Sequence, residues 1–174
     1  MSVTAIVWVA LFMLNNWLFE RFTASQYINW IFLPAALRML AVLLIGWVGA
    51  LGIFVGSLVT GSFFMSAQGW DMVLLAAISS VAPLLALVLA AVFLGLHKNL
   101  AGLRAHQLLG LSVLCAGFGA GLHNIHFAWF GHISSLGEGF WPMFVGDLVG
   151  TAIVLYIAKM AMLALLRNPP KHSG

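Results

Sequence analysis

The chain has 174 residues, of which 63% are hydrophobic and 6% charged, with a net charge of +3. A soluble domain carries about 25% charged residues, so this composition excludes a water-soluble globule and demands lipid or a large apolar partner. The positive charge comes from few groups, so it argues for membrane topology rather than for nucleic-acid binding.

The first apolar run covers Val3 to Phe19, with Asn15 and Asn16 near its end and Glu20-Arg21 closing it. No basic n-region precedes it and no small-x-small site follows, so it reads as an uncleaved span. Glu20 and Arg21 are expected as a hydrated pair at the membrane edge. Tyr27 and Trp30 are placed like an interfacial aromatic belt. The next run, Trp30 to Ile45, carries Pro34 where the first turn of a helix tolerates it. Arg38 falls one turn further in, on an otherwise apolar surface. Gly46-Trp47-Val48-Gly49 breaks the run, and a further apolar stretch reaches Met65. From Trp30 to Met65 a single helix would extend about 54 Å, against a bilayer core of about 30 Å. Two shorter helices with a turn near Gly46 fit better. Gly52-x-x-x-Gly56 predicts close approach of another helix.

Trp70-Asp71 opens a span running to Leu96, with Asp71 suited to a helix N-terminus. Pro83 is positioned to kink it. His97 to His106, with Lys98 and Arg104, forms the basic loop. Gln107 to Phe130 is the next span, and its one cysteine, Cys115, reads as a small buried apolar residue. Gly131 to Gly139 is a polar turn carrying His132 and Glu138. The last span begins near Phe140-Trp141-Pro142, passes Asp147 and Lys159, and ends near Leu166. The tail carries Arg167, Lys171 and His172. His97, His106, His132 and His172 lie at ends or loops, where solvated imidazoles are the default.

The expected fold is all-α: one integral membrane domain over residues 1–174, a polytopic bundle of about six spans, or about five if residues 30–65 cross once. The basic loop and basic tail place both termini in the cytoplasm. Lys159 then lies near the inner face, where it can snorkel.

This topology predicts a shared depth. Arg38 lies roughly 12 Å and Asp147 roughly 9 Å inward from the outer ends of their spans, and His126 and His123 lie roughly 6 and 10 Å inward. Buried charges of opposite sign find each other, because an unpaired one is costly. Arg38 and Asp147 are therefore expected to pair, directly or through a ligand, with His123 and His126 nearby. Three readings follow. One is structural, an ion pair and hydrogen-bonded histidines that fix register. The second is a pocket for a small anionic ligand, built from Arg38, His123, Asn124, His126 and Asp147. The third is haem or transition-metal ligation by His123 and His126, since imidazole suits zinc, copper, iron and nickel. No nucleophile elbow, His-Glu-x-x-His or phosphate loop occurs, so catalysis has less support.

Phe32-Leu33-Pro34-Ala35-Ala36-Leu37, Leu43-Leu44-Ile45-Gly46 and Gly52-Ile53-Phe54-Val55-Gly56-Ser57-Leu58 together resemble membrane-associated sensor domains of the MASE type. Gly146-Asp147-Leu148-Val149-Gly150-Thr151 resembles that family's late Gly-Asp-x-x-Gly element. The resemblance implies a ligand-sensing domain of the bacterial inner membrane, with Asp147 at the matched functional position. Ala36 departs from the pattern, standing where a glycine is expected. Members of that family signal to a cytoplasmic kinase, cyclase or phosphodiesterase. Here signalling calls for a separate protein partner or a homo-oligomer. A transporter subunit and a haem- or metal-binding redox subunit are the competing classes, and no nucleic-acid partner is expected.

Overall fold

The computed structural model describes residues 1–25, 28–64, 69–96 and 103–167. Tyr27, Met65, His97, Lys98, Lys171 and His172 lie outside the described residues. Six α-helices form among the described residues: α1 (Ser2–Phe19), α2 (Pro34–Ile45), α3 (Trp47–Phe64), α4 (Trp70–Phe93), α5 (Ala105–Trp129) and α6 (Leu136–Arg167). Two short strands, β1 (Thr23–Ser25) and β2 (Ile28–Asn29), pair antiparallel between α1 and α2. Four helices, α1, α4, α5 and α6, are long and apolar enough to cross a membrane, and α2 and α3 are shorter apolar helices. The chain is thus an all-α, multi-pass membrane protein.

The helices run alternately up and down. Gly46, with a φ of 59°, ends α2, and α3 folds straight back on it. Gly49 touches the backbone of Ala41, and a side chain at 49 would collide with it. At the opposite end of α3, Gly61 meets Met72 of α4. The side chain of Gln107, in the first turn of α5, donates to the carbonyl of Leu94 at the end of α4 (2.9 Å). α3 lies parallel to α1, with Gly52 against Thr4 and Gly56 against Trp8. The small-residue motif therefore has α1 as its partner. Trp8 Nε1 donates to Thr60 Oγ1 one turn further along (3.3 Å).

The upper end of the bundle is where α1, α3 and α5 finish and α4 and α6 begin. Trp17, Trp30, Trp70, Trp129 and Trp141 stand exposed there, and Trp47 stands exposed at the lower end. Indole rings settle at the membrane–water interface, where their apolar body and polar N–H are both accommodated.

The connection into α2 departs from the sequence expectation. α2 begins at Pro34, the residue expected in its first turn, so Trp30 to Leu33, expected within the span, lie outside a helix of 12 residues and about 18 Å of rise. Residues Trp30 to Leu33 are non-helical and lie directly on α6. Gly146 touches the backbone of Asn29 and Trp30, and Gly150 touches that of Phe32 and Leu33. Non-helical backbone at membrane depth must be satisfied within the protein. Here Phe32 N donates to Gly146 O (3.0 Å) and Leu33 N to the buried Asn15 Oδ1 of α1 (2.8 Å). Pro34 has no N–H to satisfy. Ala35 N and Ala36 N return to the carbonyls of Phe32 and Leu33. Every amide from Phe32 to Ala36 is accounted for, so non-helical backbone is stable here.

α6 also differs. It starts at Leu136, inside the expected polar turn, and continues for 32 residues with Pro142 in its first turns. Its last third is exposed, including Tyr156, Ile157, Met160 and Leu163.

Replacing Gly150 by Leu should destabilise the protein by roughly 1–3 kcal/mol, because the backbone that blocks the new side chain cannot rotate away. Gly121→Ala is the control: nothing lies within 4 Å of its new methyl group. Helix propensity then favours alanine by up to about 1 kcal/mol. Thermal unfolding in detergent should separate the two substitutions in sign.

Candidate functional site

All six helices border one cavity of about 500 Å³ in the upper half of the bundle. That is within the usual range of about 300–1,000 Å³ for small-molecule pockets. Its walls are largely apolar. Trp8 and Phe12 each meet Phe32 edge-on, with ring centroids 6.3 Å apart, and Leu75, Ala76 and Phe127 face them across the space. Its polar lining comprises Arg38, Asp147, His123 and Ser79, with Ser57 and Thr60 on α3 and Asn16, Glu20 and Asn29 among the rest.

Arg38 and Asp147 form the expected pair. Arg38 Nη2 donates to Asp147 Oδ2 at 2.6 Å, with the two side chains 5% and 3% exposed. Arg38 also stacks over Phe32, its Cζ 5.3 Å from the ring centroid. The pair presses against α5 at Gly119. A methyl group there would lie 3.1 Å from Asp147 Oδ2 and 3.4 Å from Arg38 Nη1. Asp147 Oδ1 is buried with no hydrogen-bond partner.

His123 lines the same cavity. Its Nδ1 meets the Gly119 carbonyl (2.8 Å) and its Nε2 meets Ser79 Oγ of α4 (3.1 Å). A carbonyl only accepts, so Nδ1 carries the proton and the neutral ring accepts from Ser79 at Nε2. Pro83 lies one turn beyond Ser79 within α4.

The layer read from the sequence divides at this point. His126 is buried but turns away from the cavity toward α4, where its Nε2 bonds Asp71 Oδ1 at 2.5 Å. His132, expected as a solvated loop residue, approaches the other oxygen of Asp71 at 3.3 Å and stacks on Phe130. Asp71 lies in the first turn of α4, as expected of a carboxylate at a helix N-terminus, and it also holds His126 and His132. Asn124 also stays out of the cavity. Its Nδ2 donates to the Ala120 carbonyl (2.7 Å), and its Oδ1 packs against Gly139 of α6. Glu20 is exposed and lines the cavity rather than only a membrane edge.

The rings of His123 and His126 thus address different partners and do not converge on a common point. Among the described residues no group of three or more His, Cys, Asp or Glu side chains is placed to hold a metal ion. Cys115 is half-buried and borders a second, water-sized void of about 10 Å³ shared with Arg38, Asp147 and Thr151.

Sequence reasoning missed Ser79, Gly119, Asp71 and His132 as members of these two clusters. A serine in an apolar run, or a histidine in a turn, has no partner until the helices are assembled. Asp71 carried a usable signal, since it enters at the same end of the bundle as His126 leaves.

No family model, curated protein or solved structure matches the chain.

Removing one member of a buried ion pair leaves a charge without compensation, at a cost of roughly 3–5 kcal/mol. Arg38→Met and Asp147→Leu should each destabilise the protein by that order, and the double variant should be no worse than either alone. Unfolding followed by tryptophan fluorescence gives the coupling, and simple additivity would dissolve the pair.

Proposed function

We propose that the chain is a non-enzymatic protein of a bacterial inner membrane that binds a small molecule in this cavity and serves as a sensing or accessory subunit. One observation carries the reading: a roomy aromatic cavity whose polar lining includes a buried ion pair with unspent hydrogen-bonding capacity. Tight packing is what stabilises a helix bundle, and a void forfeits dispersion contacts along its whole lining. A bundle that keeps such a space, and places its costliest charged groups beside it, is built for an occupant. The resemblance of the Pro34 and Gly146–Thr151 segments to MASE-type sensor domains points the same way.

The membrane arrangement in this reading has six embedded helices with both termini in the cytoplasm. Arg104 and Arg167 lie toward the lower end, at the start of α5 and the end of α6. The positive-inside tendency makes that end cytoplasmic and puts the cavity in the outer half.

A second reading has its own support. Transporters build substrate sites from interrupted helices at membrane depth. The non-helical Trp30–Leu33 segment leading into the short α2 likewise brings irregular backbone beside the cavity, and Arg38 follows it by one turn. A solute-binding transport subunit is therefore the alternative.

Two measurements test the proposal. In a Cys115→Ser background, Ser135→Cys should react with an impermeant maleimide in intact cells, and Leu103→Cys only after permeabilisation. The opposite pattern would invert the orientation. Native mass spectrometry of gently extracted protein should show a small adduct that Ser57→Phe, which fills the cavity, abolishes. At about a hundredfold excess over Kd the re-added molecule should stabilise the native protein by about 2.7 kcal/mol. Protein without an adduct, and unresponsive to membrane-extract metabolites, would sink the binding role.

A further inference from the structure

We propose that the molecule taken by this cavity is a net-neutral zwitterion: a free amino acid with an apolar or aromatic side chain. This rests on the binding role argued above and narrows it to one ligand class.

The argument starts from what the ion pair leaves unspent. A guanidinium has five N–H donors and a carboxylate accepts through both oxygens. Arg38 gives one hydrogen bond, through Nη2, and among the described residues no second acceptor meets it. Asp147 accepts through Oδ2 while Oδ1 has no partner, although the residue is only 3% exposed. A buried carboxylate oxygen without a donor is a standing cost, removed when something supplies one. The ion pair in the cavity wall therefore keeps guanidinium donors unspent beside a carboxylate with one oxygen unspent.

Charge then selects among ligands. Among the buried lining groups Arg38 and Asp147 sum to zero and His123 accepts from Ser79 as a neutral ring, while Glu20 adds its carboxylate at an exposed position where solvent screens it. A bare anion satisfies Arg38 but places a second negative charge against Asp147; a bare cation does the reverse. In a low-dielectric site either one arrives uncompensated. A molecule carrying carboxylate and ammonium on one carbon brings no net charge and has a complement for each partner. Its carboxylate meets Arg38 and its ammonium meets the Asp147 carboxylate. The Phe32 ring lies under the guanidinium, with Arg38 Cζ 5.3 Å from its centroid.

The remaining space sets the side chain. Trp8, Phe12 and Phe32 form an edge-to-face wall, suited to an aliphatic or aromatic group. Ser57 Oγ, in the α3 wall, is a further polar atom without a partner.

Three probes of one carbon frame decide the matter: L-phenylalanine, 3-phenylpropanoate and 2-phenylethylamine, with L-leucine and its two one-headed analogues as a parallel series. Titration calorimetry on the full chain in nanodiscs should show at least one of the two amino acids binding, each of its one-headed analogues being weaker by about tenfold or more. Asp147→Asn should reverse the preference toward the acid, and Arg38→Gln toward the amine. The wild-type comparison stands even if those variants fail to fold. If a one-headed analogue binds as tightly as its amino acid, and Ser57→Phe removes that binding, the zwitterion is wrong and the cavity's binding role survives. Failure of both series also overturns the zwitterion, and the adduct measurement then judges the binding role separately.

Discussion

The bundle is organised by one contact: the guanidinium of Arg38 against the carboxylate of Asp147, joining residues 109 positions apart. Either charge alone within a membrane-spanning helix would cost several kcal/mol. Together they neutralise each other, but only if α2 and α6 hold a fixed depth and rotation. That demand explains the small residues around them. Gly119 opens α5 to the pair, while Gly146 and Gly150 open α6 to the backbone leading into α2. Side chains at these positions would hold the helices apart and break the pair.

The broken entry into α2 is a consequence of the same geometry. Arg38 meets α6 partway along its length, so α2 begins partway down and the chain must reach it in a non-helical conformation. Asn15 makes this affordable by accepting from Leu33 N, and Gly146 O accepts from Phe32 N. The buried asparagine of α1 is therefore part of the machinery that positions the arginine, although it stands far from it in sequence.

Two polar clusters divide the upper half of the molecule. The inner one faces the cavity and keeps unspent donors and an unspent acceptor. The outer one, Asp71 with His126 and His132, joins the start of α4, the end of α5 and the turn beyond it. It spends both carboxylate oxygens on the protein itself and has the character of a clasp. The contrast separates a pair with hydrogen-bonding capacity left over from a cluster that holds helices.

Much of this was legible in the residues. Hydropathy located the membrane helices, since in lipid only a continuous helix satisfies its own backbone. The glycine break at 46 was legible because two helices fit where one was too long. Depth counting brought Arg38, Asp147 and His123 to one level, since rise per residue is nearly constant and opposite charges in an apolar medium must meet. What remained hidden was azimuth. Depth does not say toward which neighbour a side chain turns, so His126 and Asn124 could not be told from His123 until α4 and α6 stood beside α5. What holds the backbone before Pro34 was hidden for a related reason: the Phe32 and Leu33 amides are satisfied by Gly146 O of α6 and by Asn15, groups that become neighbours only on folding. Composition and spacing determined by themselves that the chain enters a membrane and which charges lie deep. Tertiary packing decided which of those charges border empty space, because a cavity belongs to the fit between helices and to no segment alone.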